Sequence, residues 1–209
     1  MITSLPNLLT LSRIAVIPVL VALFFVGGAP ARWIACALFT VACITDYFDG
    51  YIARMWRQDS DLGRFLDPIA DKLLVASTLF MLVAMDQLGG LTILPALVIL
   101  CREILVSGLR EFLAGVRLRV PVSRLAKWKT AIQMTAIGFL VVGEAGPPFI
   151  PTLMIGEIGL WIAAGLTLIT GYDYLIAGLR HIAGEREPER PAPSLTAPVK
   201  RVEPARPAG

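Results

Sequence analysis

The sequence contains few of the residues on which many enzymes depend. Its 209 residues include one histidine and three cysteines. The histidine, His181, begins a polar C-terminal stretch, which argues against a Ser-His-Asp triad or a histidine-based proton relay. The cysteines, Cys36, Cys43 and Cys101, lack the spacing of metal ligands, so we expect them to pack in the core. The chain also lacks a P-loop and a dinucleotide fingerprint, and we expect no nucleic-acid partner.

Charge is scarce as well. Asp, Glu, Lys and Arg together make up 17% of the chain, whereas 56% is hydrophobic, and the mean hydropathy is +0.71. This composition excludes an ordinary soluble domain and predicts a polytopic membrane protein, an all-α bundle of six transmembrane helices. The six apolar runs cover residues 5–27, 32–56, 67–86, 91–113, 125–145 and 150–179.

The basic residues predict the orientation of these helices. The third and fifth connections, residues 86–91 and 143–151, contain no Lys or Arg, whereas the second and fourth connections and the C-terminal stretch are basic. By the positive-inside rule, both termini should be cytoplasmic. We expect residues 1–183 to form one membrane domain. Residues 184–209, rich in Pro, Ala, Arg and Glu without apolar periodicity, should form a disordered cytoplasmic tail.

Four aspartates stand between apolar stretches. Asp46 and Asp49 are spaced i, i+3, and Asp67 and Asp71 are spaced i, i+4, so each pair projects from one face of its own helix. A turn at Gly63 should fold the two helices antiparallel and bring the pairs together. Because four like charges repel unless cations neutralise them, and oxygen ligands suit Mg²⁺ or Mn²⁺, this pattern predicts one or two divalent ions at the cytoplasmic end.

The residues after the first aspartates leave space for a ligand. Gly50 follows Asp46 by one turn, and Ala53 follows Asp49 by one turn, so the carboxylate face carries few bulky side chains. Arg54 then supplies a planar cation suited to phosphate. This arrangement predicts close approach of a flat, phosphorylated molecule to the helix backbone.

The spacing of these eight positions resembles the signature of the CDP-alcohol phosphatidyltransferases. The chain reads Asp46-x-x-Asp49-Gly50-x-x-Ala53-Arg54, eight residues, Gly63, three residues, Asp67, three residues, Asp71, and no position departs from the pattern. The resemblance implies that the four aspartates bind two Mg²⁺ or Mn²⁺ ions and that Asp71 is also the catalytic base. It implies contacts to CDP-diacylglycerol from Gly50, Ala53, Arg54 and Gly63. A homodimer in the bacterial inner membrane, with its active site facing the cytoplasm, is implied too.

Basic residues further along the chain predict where an acceptor binds. Arg102 and Glu103 interrupt an apolar run, where charges cost free energy unless they are paired or face water. We expect Arg102, Glu103 and Arg110 to face the bundle interior; for Glu103 the alternative is a structural ion pair that locks helices together. The candidates for binding the phosphate of an acceptor are Arg102, Arg110, Lys127 and Lys129.

A narrow polar strip marks the first apolar segment. Asn7, Thr10 and Arg13 are spaced i, i+3, i+6 on an otherwise apolar helix that should start near Pro6. Two interpretations stay open. The strip either anchors an amphipathic N-terminus at the membrane interface or lines the same cavity as the aspartates.

Secondary motifs narrow the resemblance to family members that use glycerol 3-phosphate. They are Pro6-Asn7-Leu8-Leu9-Thr10, Arg102-Glu103, Arg110-Glu111 and Lys127-x-Lys129-Thr130-x-x-Gln133. Ala126 departs from the pattern, in which glycine is expected before the lysine. Over residues 5–180, the resemblance implies transfer of a phosphatidyl group from CDP-diacylglycerol to glycerol 3-phosphate, with release of CMP.

Two other functions stay open. The acceptor of the same reaction could instead be inositol phosphate, phosphatidylglycerol or serine. A divalent-cation transporter is a different class, because acids within a membrane can line an ion path. Against a transporter, both aspartate pairs lie at one face of the membrane, and Arg54 with a basic rim would repel cations.

Overall fold

The computed structural model describes residues 5–56, 61–115 and 124–182, which form a bundle of α-helices. The helices are α1 (Leu5–Val26), α2 (Gly28–Trp56), α3 (Asp61–Ala84), α4 (Ile93–Gly115), α5 (Arg124–Val142) and α6 (Thr152–Ile182). Short 3₁₀ turns at Gly90–Thr92 and Gly143–Ala145 precede α4 and follow α5. The predicted tail, residues 184–209, lies outside the described residues.

Each predicted apolar run corresponds to one helix, which confirms the all-α class. Within the part of the chain that the structure describes, four stretches are long and apolar enough to cross a membrane: Leu8–Val26, Gly28–Asp46, Gly90–Gly115 and Thr152–Ile176. Both remaining helices carry charge in their N-terminal halves, Asp67 and Asp71 in α3 and Lys127 and Lys129 in α5. Their apolar portions are therefore shorter than those of the other four helices.

The turn predicted at Gly63 is wrong. Helix α3 already begins at Asp61, so Gly63 lies inside its first helical turn. Residues 57–60, between α2 and α3, lie outside the described residues. Ser60 and Asp61 are residue types that favour a helix start, and near that start a glycine costs little. A glycine does end α1, where Gly27 adopts φ +67° and donates its N–H to the Leu23 carbonyl at 3.1 Å.

Helix α1 packs against both α2 and α3, while α6 packs against α4 and α5, and α2 also contacts α5. Large apolar side chains fill the interior, among them Leu20, Phe39, Leu82, Ile99, Leu140 and Leu160. Other large apolar side chains are exposed on the outside, such as Phe25, Phe80, Leu105 and Ile169, as expected of a bundle surrounded by lipid. Cys36 and Cys43 pack against the core as predicted, but Cys101 is exposed, so the prediction for Cys101 is wrong.

Small residues set the distance between α5 and α6. A Cβ added at Gly156 would lie 2.6 Å from Leu140 Cγ and 3.1 Å from the Ala136 carbonyl oxygen. At Gly159, an added Cβ would lie 2.8 Å from Ala136 Cβ. Close approach of helix backbones over small residues is the usual way in which membrane helices associate. These two glycines therefore define how closely α6 lies on α5.

At the end of the bundle where α2 begins, hydrogen bonds join α2 to the neighbouring connections. Arg32 of α2 donates from Nη1 to Gln87 Oε1 at 2.6 Å, and Trp33 donates from Nε1 to the Ala145 carbonyl at 3.1 Å. Gly143 adopts φ +52°, and a Cβ there would lie 2.2 Å from Gln87 Oε1. Side chains of α2 thus bind both of the connections at this end, between α3 and α4 and between α5 and α6.

Replacing Gly156 by alanine should lower the thermal stability of the protein. Because the new Cβ would overlap Leu140, α5 and α6 would have to separate, and overpacking of this kind costs about 1–3 kcal/mol. We expect a lower midpoint in thermal denaturation of the purified protein in detergent. Gly165→Ala on the same helix is the matched control, since nothing lies within 4 Å of its added Cβ. Equal effects of the two substitutions would contradict this description of the helix contact.

Candidate active site

A cavity of about 1140 Å³ runs along the bundle between α2, α4 and α5. We call its polar end the aspartate end; it is lined by Asp46, Asp71, Lys72, Arg102, Glu103, Arg110, Lys127 and Lys129. We call the rest the apolar groove; its lining includes Trp33, Cys36, Phe39, Cys43, Met134, Gly138, Phe139, Val142 and Ile150. Along α2, 13 residues separate Asp46 from Trp33, or about 20 Å of helix. The cavity can therefore accept a long molecule with a charged head and an apolar tail.

Asp46 enters the cavity from α2 and is paired with Arg13 of α1. Arg13 Nη1 lies 2.7 Å from Asp46 Oδ1, and the side chains are 1% and 41% exposed respectively. Thr10, one turn before Arg13, is buried too. The interpretation of this strip as an interfacial anchor is wrong, because Thr10 and Arg13 face the bundle interior; the side chain of Asn7 lies outside the described residues.

Asp71 enters the cavity from α3 and is paired with the next residue. Lys72 Nζ lies 2.7 Å from Asp71 Oδ2 and 3.7 Å from Glu103 Oε2. The Asp71 side chain is only partly buried, so its carboxylate remains accessible from the cavity. Lys72 thus lies between the carboxylate of α3 and a carboxylate of α4.

Glu103 is the centre of an ion network. It is paired with Lys129 of α5, with Lys72 of α3, and at 3.9 Å with Arg102 Nη1 of its own helix. Arg102 in turn donates from Nη2 to Thr170 Oγ1 of α6 at 2.9 Å. The prediction that these residues face the interior is confirmed for Arg102 and Glu103, whereas Arg110 borders the cavity but is exposed. The structural ion pair proposed as an alternative is present as well, because the same network lines the cavity and joins four helices.

The structure brings six of the predicted site residues to one cavity. They are Asp46, Asp71, Arg102, Arg110, Lys127 and Lys129. The side chains of four others, Asp49, Ala53, Arg54 and Asp67, lie outside the described residues, and so do the surroundings of Gly50. Gly63 lies in the helical backbone of α3, and its surroundings are likewise outside the description.

Two side chains of this site were missed by the sequence reasoning. Lys72 was counted only as a basic residue for topology, although its place next to Asp71 in an otherwise apolar helix was a signal. Arg13 was noticed in a polar strip, but no pattern in the sequence identified Asp46 as its partner. Both are cations that approach one of the predicted aspartates.

The donor chemistry of the aspartate end fits a divalent cation. Asp46 and Asp71 bring carboxylate oxygens to one cavity, and each has a protein cation against one of its oxygens. Oxygen donors of this kind suit Mg²⁺ or Mn²⁺. Among the described residues no group of three or more His, Cys, Asp and Glu side chains could hold a metal ion. Asp49 and Asp67, which would complete the predicted ligand set, are outside that search.

The sequence profile of the CDP-alcohol phosphatidyltransferases matches residues 3–169, a range that includes every residue of the aspartate end. This chain belongs to that family. It is 52% identical over 174 residues to the CDP-diacylglycerol–glycerol-3-phosphate 3-phosphatidyltransferase of Rickettsia typhi, covering 83% of this chain and 96% of that protein. Proteins of the same name from Cereibacter sphaeroides and Pseudomonas fluorescens are also similar.

The Cereibacter sphaeroides protein is 37% identical over 218 residues, covering 88% of this chain and 99% of the relative. The Pseudomonas fluorescens protein is 42% identical over 184 residues, covering 86% and 92%. In all three comparisons nearly the whole relative is matched. The similarity to this phosphatidyltransferase family therefore extends over the helical bundle and is not limited to the aspartate motif.

Replacing Arg13 by methionine should lower both the stability and the transferase activity. The change leaves Asp46 without its guanidinium partner in an apolar bundle. We expect a loss of about 2 kcal/mol in the free energy of unfolding, less than the roughly 3–5 kcal/mol for a fully buried pair, because Asp46 is 41% exposed. Thermal denaturation and CMP release report the two effects.

Ser12→Ala is the control for Arg13→Met. Ser12 is exposed on the same helix and donates to the Leu9 carbonyl. If Arg13→Met were as stable and as active as Ser12→Ala, the Arg13–Asp46 pair would have no importance for the site.

Proposed function

We propose that this phosphatidyltransferase moves a phosphatidyl group from CDP-diacylglycerol to glycerol 3-phosphate, giving phosphatidylglycerophosphate and CMP. The observation that carries the proposal is the two-part cavity, whose charged aspartate end continues into an apolar groove. The relatives named for this reaction support the choice of substrates.

The apolar groove supports a lipid as one substrate. From Asp46 to Trp33 it follows about 20 Å of α2, a length comparable to that of a fatty acyl chain. Its lining by Phe39, Phe139 and Val142 offers contacts to hydrocarbon and few to charged groups. The same feature disfavours a cation transporter, because a divalent ion leaving the aspartate end would meet an apolar wall.

The cations of the aspartate end support a phosphorylated acceptor. Arg102, Arg110, Lys127 and Lys129 line it from α4 and α5, opposite the aspartates of α2 and α3. Guanidinium and ammonium groups are the usual partners of phosphate in proteins. An acceptor held there would have its hydroxyl group between its own phosphate and the carboxylates. Serine, which lacks a phosphate, fits this set of cations less well than glycerol 3-phosphate does.

The proposed ligands of a metal pair are Asp46, Asp49, Asp67 and Asp71, with Mg²⁺ or Mn²⁺ as the ions. When bound, such ions would offset the negative charge of the pyrophosphate of CDP-diacylglycerol. The proposed contacts of the cytidine diphosphate with the chain are Gly50, Ala53 and Gly63, with Arg54 on its phosphates.

Asp71 is the proposed base. Lys72 pairs with its Oδ2 atom, so Oδ1 is the oxygen proposed to take the proton of the acceptor hydroxyl. As that proton moves to Asp71, the hydroxyl oxygen forms a bond to the phosphorus that carries the diacylglycerol. The bond between this phosphorus and the CMP oxygen breaks, and CMP leaves. The cations that hold the acceptor's phosphate keep the hydroxyl in line for this attack.

The same proposal includes six membrane spans with the aspartate end facing the cytoplasm of a bacterial cell. The distribution of Lys and Arg supports this orientation, and α1 begins and α6 ends on the side of the bundle where Asp46 and Asp71 lie. CDP-diacylglycerol is a membrane lipid and glycerol 3-phosphate is soluble in the cytoplasm, so both can reach a site at this boundary. The resemblance to the family supports a homodimer.

The reaction can be tested by CMP release from the purified protein in detergent with CDP-diacylglycerol and Mg²⁺. We expect release with glycerol 3-phosphate and none with inositol phosphate, phosphatidylglycerol or serine. Asp71→Asn should lower the rate about a thousandfold or more, because it removes a proposed base and metal ligand. Removing Mg²⁺ with EDTA should stop the reaction until Mg²⁺ or Mn²⁺ is restored. If CMP were released with another acceptor and not with glycerol 3-phosphate, the proposed acceptor would be wrong. If EDTA did not affect release, the proposed requirement for a divalent metal ion would be wrong.

Replacing Arg110 or Lys127 by alanine should weaken binding of the acceptor. Each change removes a cation that lines the aspartate end, and we expect KM for glycerol 3-phosphate to rise about tenfold with little change in KM for CDP-diacylglycerol. Steady-state kinetics with each substrate varied in turn make the measurement. Lys200→Ala, in the C-terminal stretch beyond the described residues, is the control. An unchanged KM for glycerol 3-phosphate in both variants would refute the assignment of these cations.

A further inference from the structure

One carboxylate of the aspartate end is neither a proposed metal ligand nor a proposed base. Glu103 of α4 has a side chain only 14% exposed and lies among Lys72, Arg102 and Lys129, which come from three helices. An anion in an apolar helix needs such partners to be stable. The dependence is mutual, because Glu103 in turn holds these three cations in their positions.

Lys129 depends on Glu103 most strongly. Its side chain is 5% exposed, and among the described residues Glu103 alone supplies it with an ion pair and a hydrogen bond. A buried ammonium group without an anion is costly, so it would move or lose its proton if the carboxylate were neutralised. The position of the Lys129 charge in the cavity wall is therefore set by Glu103.

Lys72 depends on Glu103 in a different way. Its ammonium group donates a hydrogen bond to Asp71 Oδ2 at 2.7 Å and lies within ion-pair distance of Glu103 Oε2, at 3.7 Å. With Glu103 uncharged, Asp71 would be the remaining anion in contact with Lys72 among the described residues. The ammonium would then stay on the carboxylate that has to approach the acceptor hydroxyl. Glu103 offers Lys72 a second partner and so limits its hold on Asp71.

We infer that Glu103 is a positioning residue of the proposed reaction, which acts through Lys129 on the phosphate of the acceptor and through Lys72 on Asp71. The inference rests on the proposed function and adds a role to a residue to which that function assigns no contact with either substrate. The inference predicts different effects on the two substrates. Loss of the charge should affect use of the phosphorylated acceptor far more than use of the lipid.

The test compares Glu103→Gln, Glu103→Asp and wild type in the CMP-release assay, with each substrate varied in turn. Glutamine keeps the shape of the side chain and removes its charge, so we expect KM for glycerol 3-phosphate to rise about tenfold or more and KM for CDP-diacylglycerol to stay within about twofold. Aspartate keeps the charge and should restore most of the loss. Glu144→Gln is the matched control, since Glu144 is exposed at the end of the bundle far from the aspartates.

A double variant separates positioning from simple stability. Glu103→Gln combined with Lys129→Met leaves no unpaired ammonium at this place and should fold even if Glu103→Gln alone does not. If Glu103 acts on the acceptor through Lys129, the double variant should have the same KM for glycerol 3-phosphate as Lys129→Met alone, within about twofold. If the two substitutions instead raised KM for glycerol 3-phosphate by independent factors that multiply in the double variant, that part of the inference would be overturned.

The remaining outcomes are distinct. A Glu103→Gln protein with a lower melting temperature but unchanged KM values would show a structural role alone and overturn the inference. An equal rise in both KM values would do the same. A wild-type protein that releases no CMP with glycerol 3-phosphate would instead refute the proposed function, and the Glu103 series would then be judged with whichever acceptor supports release.

Discussion

Charge balance inside an apolar bundle is the constraint on which the site depends. Carboxylates from α2, α3 and α4 line one cavity, and each described one is held by a cation, Asp46 by Arg13, Asp71 by Lys72, and Glu103 by Lys129. In water such pairs contribute little, but in an apolar environment a carboxylate without a partner is costly. The first of these pairs joins α1 to α2 and the last joins α5 to α4, so charges that the chemistry needs also fix how these helices are arranged.

The sequence predicted which residues line the cavity better than it predicted their ion-pair partners. The i, i+3 and i, i+4 aspartates are local patterns, and the structure places Asp46 and Asp71 on one cavity as expected. The partners of these residues could not be predicted, because Arg13 is 33 residues from Asp46 and nothing local specifies that α1 packs between α2 and α3. Gly63 was misread for a related reason. Its φ preference suggested a turn, whereas the helix-starting residues before it determine where α3 begins.

The apolar groove was not predicted, because it is a property of how whole helices pack. Cys36, Phe39, Met134 and Gly138 read as ordinary core residues in the sequence, yet they border the cavity between α2 and α5. At Gly138 the helices are close enough for the Cys36 thiol to donate to its carbonyl at 3.6 Å. The contacts of Arg32 and Trp33 at one end, and those of Arg13 at the other, hold α2 in position along the whole groove.

Helix packing also determines the geometry of the charges themselves. Arg102 lies directly over Gly171 of α6, where an added Cβ would be 3.0 Å from its Nε atom and 3.2 Å from its Cγ atom. The neighbouring Thr170 accepts a hydrogen bond from the same guanidinium. Because a larger residue at 171 would push Arg102 into the cavity, the glycine sets how far this cation projects. The small residues that let α6 approach α4 and α5 therefore contribute to the site directly, and packing and chemistry in this bundle cannot be varied independently.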